Sequence, residues 1–193
     1  MAKNNEIIEA ALTCFAKYGI KRTTMADIAA TAEVSRQTVY AHFGTKEEII
    51  HEAIVTLTQR YLTEVEALLV GVRSLEEQLD AFFEAAIFKP FDSMQTYPDL
   101  ADLLNSSTVP CKLAFAKATE LKCTFFQGVF APYEKLLHTK GQTVEQFAQF
   151  VTICASQCKQ SATSRQQLDE LIASLRAMIL CCLHCKTDHS HRA

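Results

Sequence analysis

Apolar residues recur along this chain every three to four positions, the period of an α-helix, and nowhere in the strict alternation of a half-buried strand. Ile7, Ile8, Ala11, Leu12 and Phe15 form a first stripe, with Gly19 at its stop position. Met25, Ile28, Ala29 and Ala32 form a second, and Val39 and Phe43 share the face of a third, short segment. Helix starts are marked by a hydroxyl three residues before an acid or amide, a spacing at which the two side chains satisfy each other's exposed amides. Thr24 with Asp27, Thr45 with Glu48, Ser74 with Glu77, Thr143 with Gln146 and Ser164 with Gln167 all have it. The pattern predicts helices over about 46–70, 75–88, 144–161 and 165–185. Breakers cluster at 89–98 and 105–110, where Pro98 suits a short helix ending near Asn105 and Pro110 the start of a long one. Pro132 in that long segment crowds the carbonyl of Gly128, which predicts a kinked or broken helix ending at Gly141. The fold class is all-α, with roughly nine or ten helices.

The segment 23–48 carries the most specific chemistry. A helix capped by Thr24 is followed, after Glu33-Val34-Ser35, by a short helix over 36–43 with Ser35 as its N-cap. Val39 and Phe43 face inward, while Arg36, Gln37, Thr38, Tyr40 and His42 are spread over the remaining surface. Polar side chains at the start of a second short helix are what the major groove of duplex DNA accepts.

The order Thr-x-x-x-Ile-Ala-x-x-Ala-x-Val-Ser-x-x-x-Val-Tyr-x-His-Phe-x-x-Lys-Glu, from Thr24 to Glu47, resembles the DNA-binding domain of the TetR (tetracycline-repressor-like) transcriptional regulators. The resemblance implies a three-helix domain with a helix-turn-helix over residues 1–45 and a larger helical effector-binding and dimerisation domain over 46–193. It implies DNA contacts from Thr24, Ser35, Arg36, Gln37, Thr38, Tyr40, His42 and Lys46, with a double-stranded operator and a small-molecule effector as partners. Two positions depart from the pattern. Glu33 stands where the family usually has Gly, so a positive φ is expected there at a cost of roughly 1 kcal/mol. Gln37 also stands where Gly is frequent, and adds a side chain able to pair bidentately with adenine.

Charge and composition refine this picture. Residues 1–50 hold six Lys or Arg against six Asp or Glu, so binding is expected to rest on a few placed contacts and on dimerisation rather than on bulk attraction. A 49% hydrophobic content with five Gly and four Pro fits a compact helical protein. The longest apolar runs, such as 67–70 and 177–183, fall far short of the ~20 residues that cross a bilayer, and the N-terminus lacks a secretory hydrophobic stretch. A cytoplasmic protein with mostly free thiols and no membrane partner is expected.

The last two helices have broad apolar faces, wider than one neighbour covers, so a homodimer seam is expected at Phe147, Val151, Cys154, Leu171, Leu175 and Met178. The aromatic middle of the chain is the expected sensor for an apolar or aromatic ligand. Its candidates are Tyr61, Phe82, Phe83, Met94, Tyr97, Phe115, Thr119, Lys122 and Phe126, with His51 nearby in type. The alternative is a metal or thiol-redox sensor at Cys181, Cys182, His184, Cys185, His189 and His191, with Cys154 and Cys158 repeating the turn spacing. Packing accounts for these cysteines more simply, so no metal site and no cofactor is assigned. No paired acids, phosphate loop or activated nucleophile is recognisable, which argues against an enzyme. Glu48 and His51 form a single Glu-x-x-His, whereas a di-iron bundle needs two.

Overall fold

The computed structural model describes residues 2–96 and 109–184. Ten α-helices and no strand occur among the described residues: α1 Ala2–Tyr18, α2 Met25–Thr31, α3 Arg36–His42, α4 Lys46–Leu68, α5 Leu75–Phe83, α6 Lys89–Thr96, α7 Val109–Phe130, α8 Glu134–Thr139, α9 Val144–Ser161 and α10 Arg165–His184. The chain forms two compact units, residues 1–63 with 90–121, and residues 64–89 with the chain from 122 onward.

In the first unit the stripes of α1, α2 and α3 meet in one cluster that includes Ile7, Ala11, Cys14, Ile28, Val39 and Phe43. Ile49 and Ala53 of α4 belong to the same cluster, so the core of the N-terminal domain runs two turns beyond residue 45. In the second unit the core is a file of stacked rings. Phe82 lies 4.3 Å from Phe126 and 5.1 Å from Phe125, Phe126 stacks on Phe130 at 5.3 Å, and Phe130 meets Phe147 edge-on at 4.9 Å. Arg176 of α10 adds a two-pronged ion pair to Asp80 of α5, at 2.5 and 3.1 Å.

The helix expected over 75–88 does not end there. It passes through a π-helical turn, Glu84–Phe88, directly into α6. The wider turn gives Pro90 a place: the Lys89 amide bonds the Glu84 carbonyl five residues back, which loosens the turn before a residue that has no amide to donate. Pro132 acts as its spacing predicts, for a 3-10 turn over Ala131–Tyr133 separates α7 from α8. The short helix expected between Pro98 and Asn105 lies outside the described residues.

Candidate nucleic-acid interface

Local sequence builds the helix-turn-helix in three steps. Thr24 caps α2: its hydroxyl accepts from the Asp27 amide at 3.2 Å, and the Asp27 carboxylate accepts from the Thr24 amide at 2.8 Å. The bonds from Thr24 hold the Asp27 carboxyl below its ordinary pKa. At the other end α2 closes with Glu33 at φ +53°. The Glu33 amide bonds the Ala30 carbonyl at 3.3 Å and the Val34 amide the Ala29 carbonyl at 3.0 Å, the double bond of a left-handed helix stop. Val34 is thereby folded back onto the core cluster. Glu33 adopts the conformation a glycine takes most readily, and the turn is made without one.

Ser35 then caps α3, accepting from the Thr38 amide at 3.0 Å, and the two hydroxyls lie 2.9 Å apart. Val39, fully buried, and Phe43 pin the inner face of α3. Its outer face offers Arg36, Gln37 and His42, all exposed, together with Tyr40 at 54% exposure. Thr24 is exposed and Thr38 half-buried, so the residues proposed for DNA from sequence are gathered on one small domain.

Lys46 has a further role that sequence reading missed. Its Nζ donates to the carbonyls of Ile20 and Thr23, each at 3.0 Å, and to that of Lys21 at 3.5 Å. The start of α4 is thus tied to the loop that leads into α2. A cation following a threonine cap gave a hint of this, but its partners lie more than twenty residues away.

The expected sensor residues fall in both units. Phe82, Phe83 and Phe126 are brought together, fully buried in the ring file of the second unit. Phe115 and Thr119 are half-buried on α7, where the Thr119 hydroxyl donates to the Phe115 carbonyl at 2.8 Å. Tyr61 has a buried hydroxyl with no hydrogen-bond partner among the described residues, and burial pushes its pKa up. Thr58, beside it, spends its own proton on the Ile54 carbonyl at 2.8 Å. His51 lies in an open groove with Asn4, His42, Glu48 and Glu52, its Nδ1 3.1 Å from the Glu52 carboxylate. The Met94 side chain and Tyr97 lie outside the described residues. Lys122 is buried on α7 with only 9% of its surface exposed.

At the expected dimer seam, Phe147, Val151 and Leu175 are buried within the chain itself. Cys154 and Leu171 are half-buried. The apolar side chains left in solvent are Met178, 61% exposed, Phe150, 57% exposed, and Ile153. Phe150, Met178 and Cys182 line an open groove of about 270 Å³ between α9 and α10. Of the C-terminal cluster, Cys181 is exposed, Cys182 half-buried and His184 3.9 Å from Glu76, while Cys185, His189 and His191 lie outside the described residues. Burial raises the pKa of both Cys154 and Cys158, which disfavours the thiolates that metal binding or oxidation requires.

A short capped helix presenting polar side chains, braced by two others through a shared apolar core, is a helix-turn-helix DNA-binding domain. Residues 7–53 match the model of the bacterial regulatory proteins, tetR family, and the chain carries the DNA-binding domain of that family. Among curated proteins, the HTH-type transcriptional regulator TtgR of Pseudomonas putida is 43% identical over 56 residues, 29% of this chain and 27% of that protein. The probable acrEF/envCD operon repressor of Escherichia coli is 31% identical over 120 residues, 62% of this chain and 48% of that protein. The chain therefore spans about half or less of the length of these relatives. Among solved structures, Thermus thermophilus FadR, a TetR family transcriptional repressor in complex with lauroyl-CoA, has a TM-score of 0.68 at 20% identity, covering 98% of this chain and 100% of that one. FadR of Bacillus subtilis in complex with stearoyl-CoA has a TM-score of 0.60 at 16% identity, covering 93% and 97%. These likenesses establish a fold shared over nearly the whole chain. Among the described residues no helix is long and apolar enough to cross a membrane.

Proposed function

We propose that this chain is a cytoplasmic, homodimeric transcriptional repressor that binds a near-palindromic operator and is released by a small apolar or aromatic effector. The observation that carries the reading is the exposed set Arg36, Gln37, Tyr40 and His42 on a helix whose inner face is locked by Val39 and Phe43. Packing gives no reason for an arginine, an amide, a phenol and an imidazole to stand together there. Gln37 and Arg36 read base edges, while Thr24, Ser35, Thr38, Tyr40, His42 and Lys46 serve the backbone and the orientation of the helix. A two-fold dimer through α9 and α10 sets two such helices against two half-sites. Phe150, Ile153 and Met178 supply the apolar surface that a second copy covers.

The effector acts by binding better to the arrangement that does not fit the operator, since only a ligand with different affinity for two states shifts their balance. Tyr61, with its unsatisfied buried hydroxyl, is one group a ligand can satisfy. The chain has no role as an enzyme in this reading. Selection of fragments of the source genome by the purified protein, followed by fluorescence anisotropy of the selected duplex against a scrambled one, tests it. Retention of a palindromic sequence at nanomolar affinity, lost on addition of one member of a panel of apolar compounds, is expected. Equal affinity for selected and scrambled duplexes would overturn it.

A further inference from the structure

Along α7 the positions Ala114, Ala118, Lys122, Phe126 and Phe130 repeat at four-residue intervals, and all five are buried. Four are apolar and the middle one is a lysine. On α9 Ala148, Thr152, Ala155 and Lys159 share one helical face, the first three buried and Lys159 half-buried. The ring contact of Phe130 with Phe147 fixes one end of the α7 and α9 pair. Lys122 stands eight residues before Phe130, about 12 Å back along α7, and Lys159 stands twelve residues after Phe147, about 18 Å along α9. The charge of Lys159 acts on Lys122, so the two side chains lie near enough to repel each other.

The second unit therefore holds a buried cation, Lys122, with the half-buried Lys159 near enough to repel it, and neither makes a hydrogen bond or an ion pair among the described residues. Glu120, the nearest acid in sequence, is exposed and bonded to Lys117 at 2.9 Å. A buried ammonium with no counter-charge is among the costliest arrangements in a protein, and a second one beside it raises the cost. Loss of a proton relieves one of them, and burial together with Lys159 brings the pKa of Lys122 down to about 7. An anion between the two relieves both. One turn further along α7, Phe125 and Phe126 pack on Phe82, so the charged end adjoins an aromatic layer.

We propose that Lys122 and Lys159 form an anion-binding subsite, and that the effector is an amphiphile whose carboxylate or phosphate is held there while its apolar body lies toward the phenylalanines. This deepens the effector reading given above and rests on it.

The test is calorimetric titration of the full-length protein with decanoate, decyl phosphate and 1-decanol, three compounds of one chain length that differ in the head. The wild-type protein is expected to bind one or both anions at least tenfold more tightly than the alcohol. Lys122→Met and Lys159→Met each abolish that preference, Lys122→Arg keeps most of it, and operator affinity without ligand stays within twofold in all three. Decanoate against decyl phosphate tells which head fits. Equal affinity for the three compounds, no saturable binding of any, or a preference that survives both Met variants overturns the subsite. Operator anisotropy with the same compounds keeps the two readings apart: release by decanol and decanoate alike leaves the effector reading standing without the subsite. A protein that ignores DNA but prefers the anions loses the regulator reading and keeps the subsite.

Discussion

Lys46 donates from Nζ to the carbonyl of Thr23 at 3.0 Å, joining the first turn of α4 to the residue that precedes the cap of α2. Two further carbonyls, of Ile20 and Lys21, share the same ammonium. Bonds from a charged donor are worth about 1.5–3 kcal/mol when partly buried. Lys46→Met is therefore expected to lower stability by about 1–3 kcal/mol in urea unfolding, and to weaken operator binding because α2 and α3 lose their brace. Titrations at graded salt separate this from a phosphate contact. An unchanged salt slope means the tie alone, and a slope smaller by about one adds a phosphate.

Gln37 is exposed at the start of α3 and bonded to nothing among the described residues, as a base-reading side chain must be before DNA arrives. Gln37→Ala is expected to cost about 1–3 kcal/mol on the selected operator and almost nothing on a scrambled duplex. Tyr40→Phe is expected to weaken both alike, because a hydroxyl on a phosphate carries no sequence information. An equal loss on the two duplexes for Gln37→Ala would assign that residue to the backbone.

What could be read from sequence follows the range of the interaction. The caps at Thr24, Ser35, Thr143 and Ser164 and the stop at Gly19 depend on partners three to five residues away, and spacing alone reveals them. The positive φ of Glu33 was legible on different ground, from the glycine that the resembled family usually has at that position. Lys46 bonded to Thr23, and Lys122 beside Lys159, depend on how the chain reverses, which spacing does not record. Lys122 and Lys159 nevertheless each stand in an otherwise mostly apolar row, a signal that spacing does record. On α9 and α10 periodicity gave the width of the apolar face but not which edge the chain covers for itself. Phe147, Val151 and Leu175 turned out to be covered, and Phe150 and Ile153, unnamed from sequence, to be bare.

That division changes how the dimer is tested. Phe150→Glu with Met178→Glu places charges on exposed positions, so the fold should survive with unchanged helical circular dichroism. Sedimentation should show a monomer at micromolar concentration, and operator affinity should fall at least tenfold because two half-sites no longer bind together. Leu175→Glu is different, for its side chain is 3% exposed and the carboxylate would be buried unpaired at about 3–5 kcal/mol. Unfolded protein is expected there. A folded dimer of the double variant would move the interface off this face.

The pH dependence of stability isolates Lys122. Burial first and Lys159 second bring its pKa down to about 7 from the 10.5 of the free side chain, with Cys123 acting the other way. Between pH 7 and pH 10.5 the unfolded chain binds a proton at this residue that the native state does not, so stability rises with pH across that window. The full effect is about 5 kcal/mol, from 1.36 kcal/mol for each pH step. Below pH 7 both states are protonated and the native state bears the whole cost. Lys159, also lowered by burial, acts in the same direction, whereas Tyr61, Cys154 and Cys158, whose pKa values are raised, act in the opposite one. All four persist in Lys122→Met, so the difference between variant and wild type reports Lys122. Urea midpoints at pH 7, 8.5 and 10 without ligand should show the variant more stable at pH 7, with the gap closing by several kcal/mol toward pH 10. A gap that stays constant would mean that Lys122 keeps its proton throughout, held by a counter-charge from the chain itself.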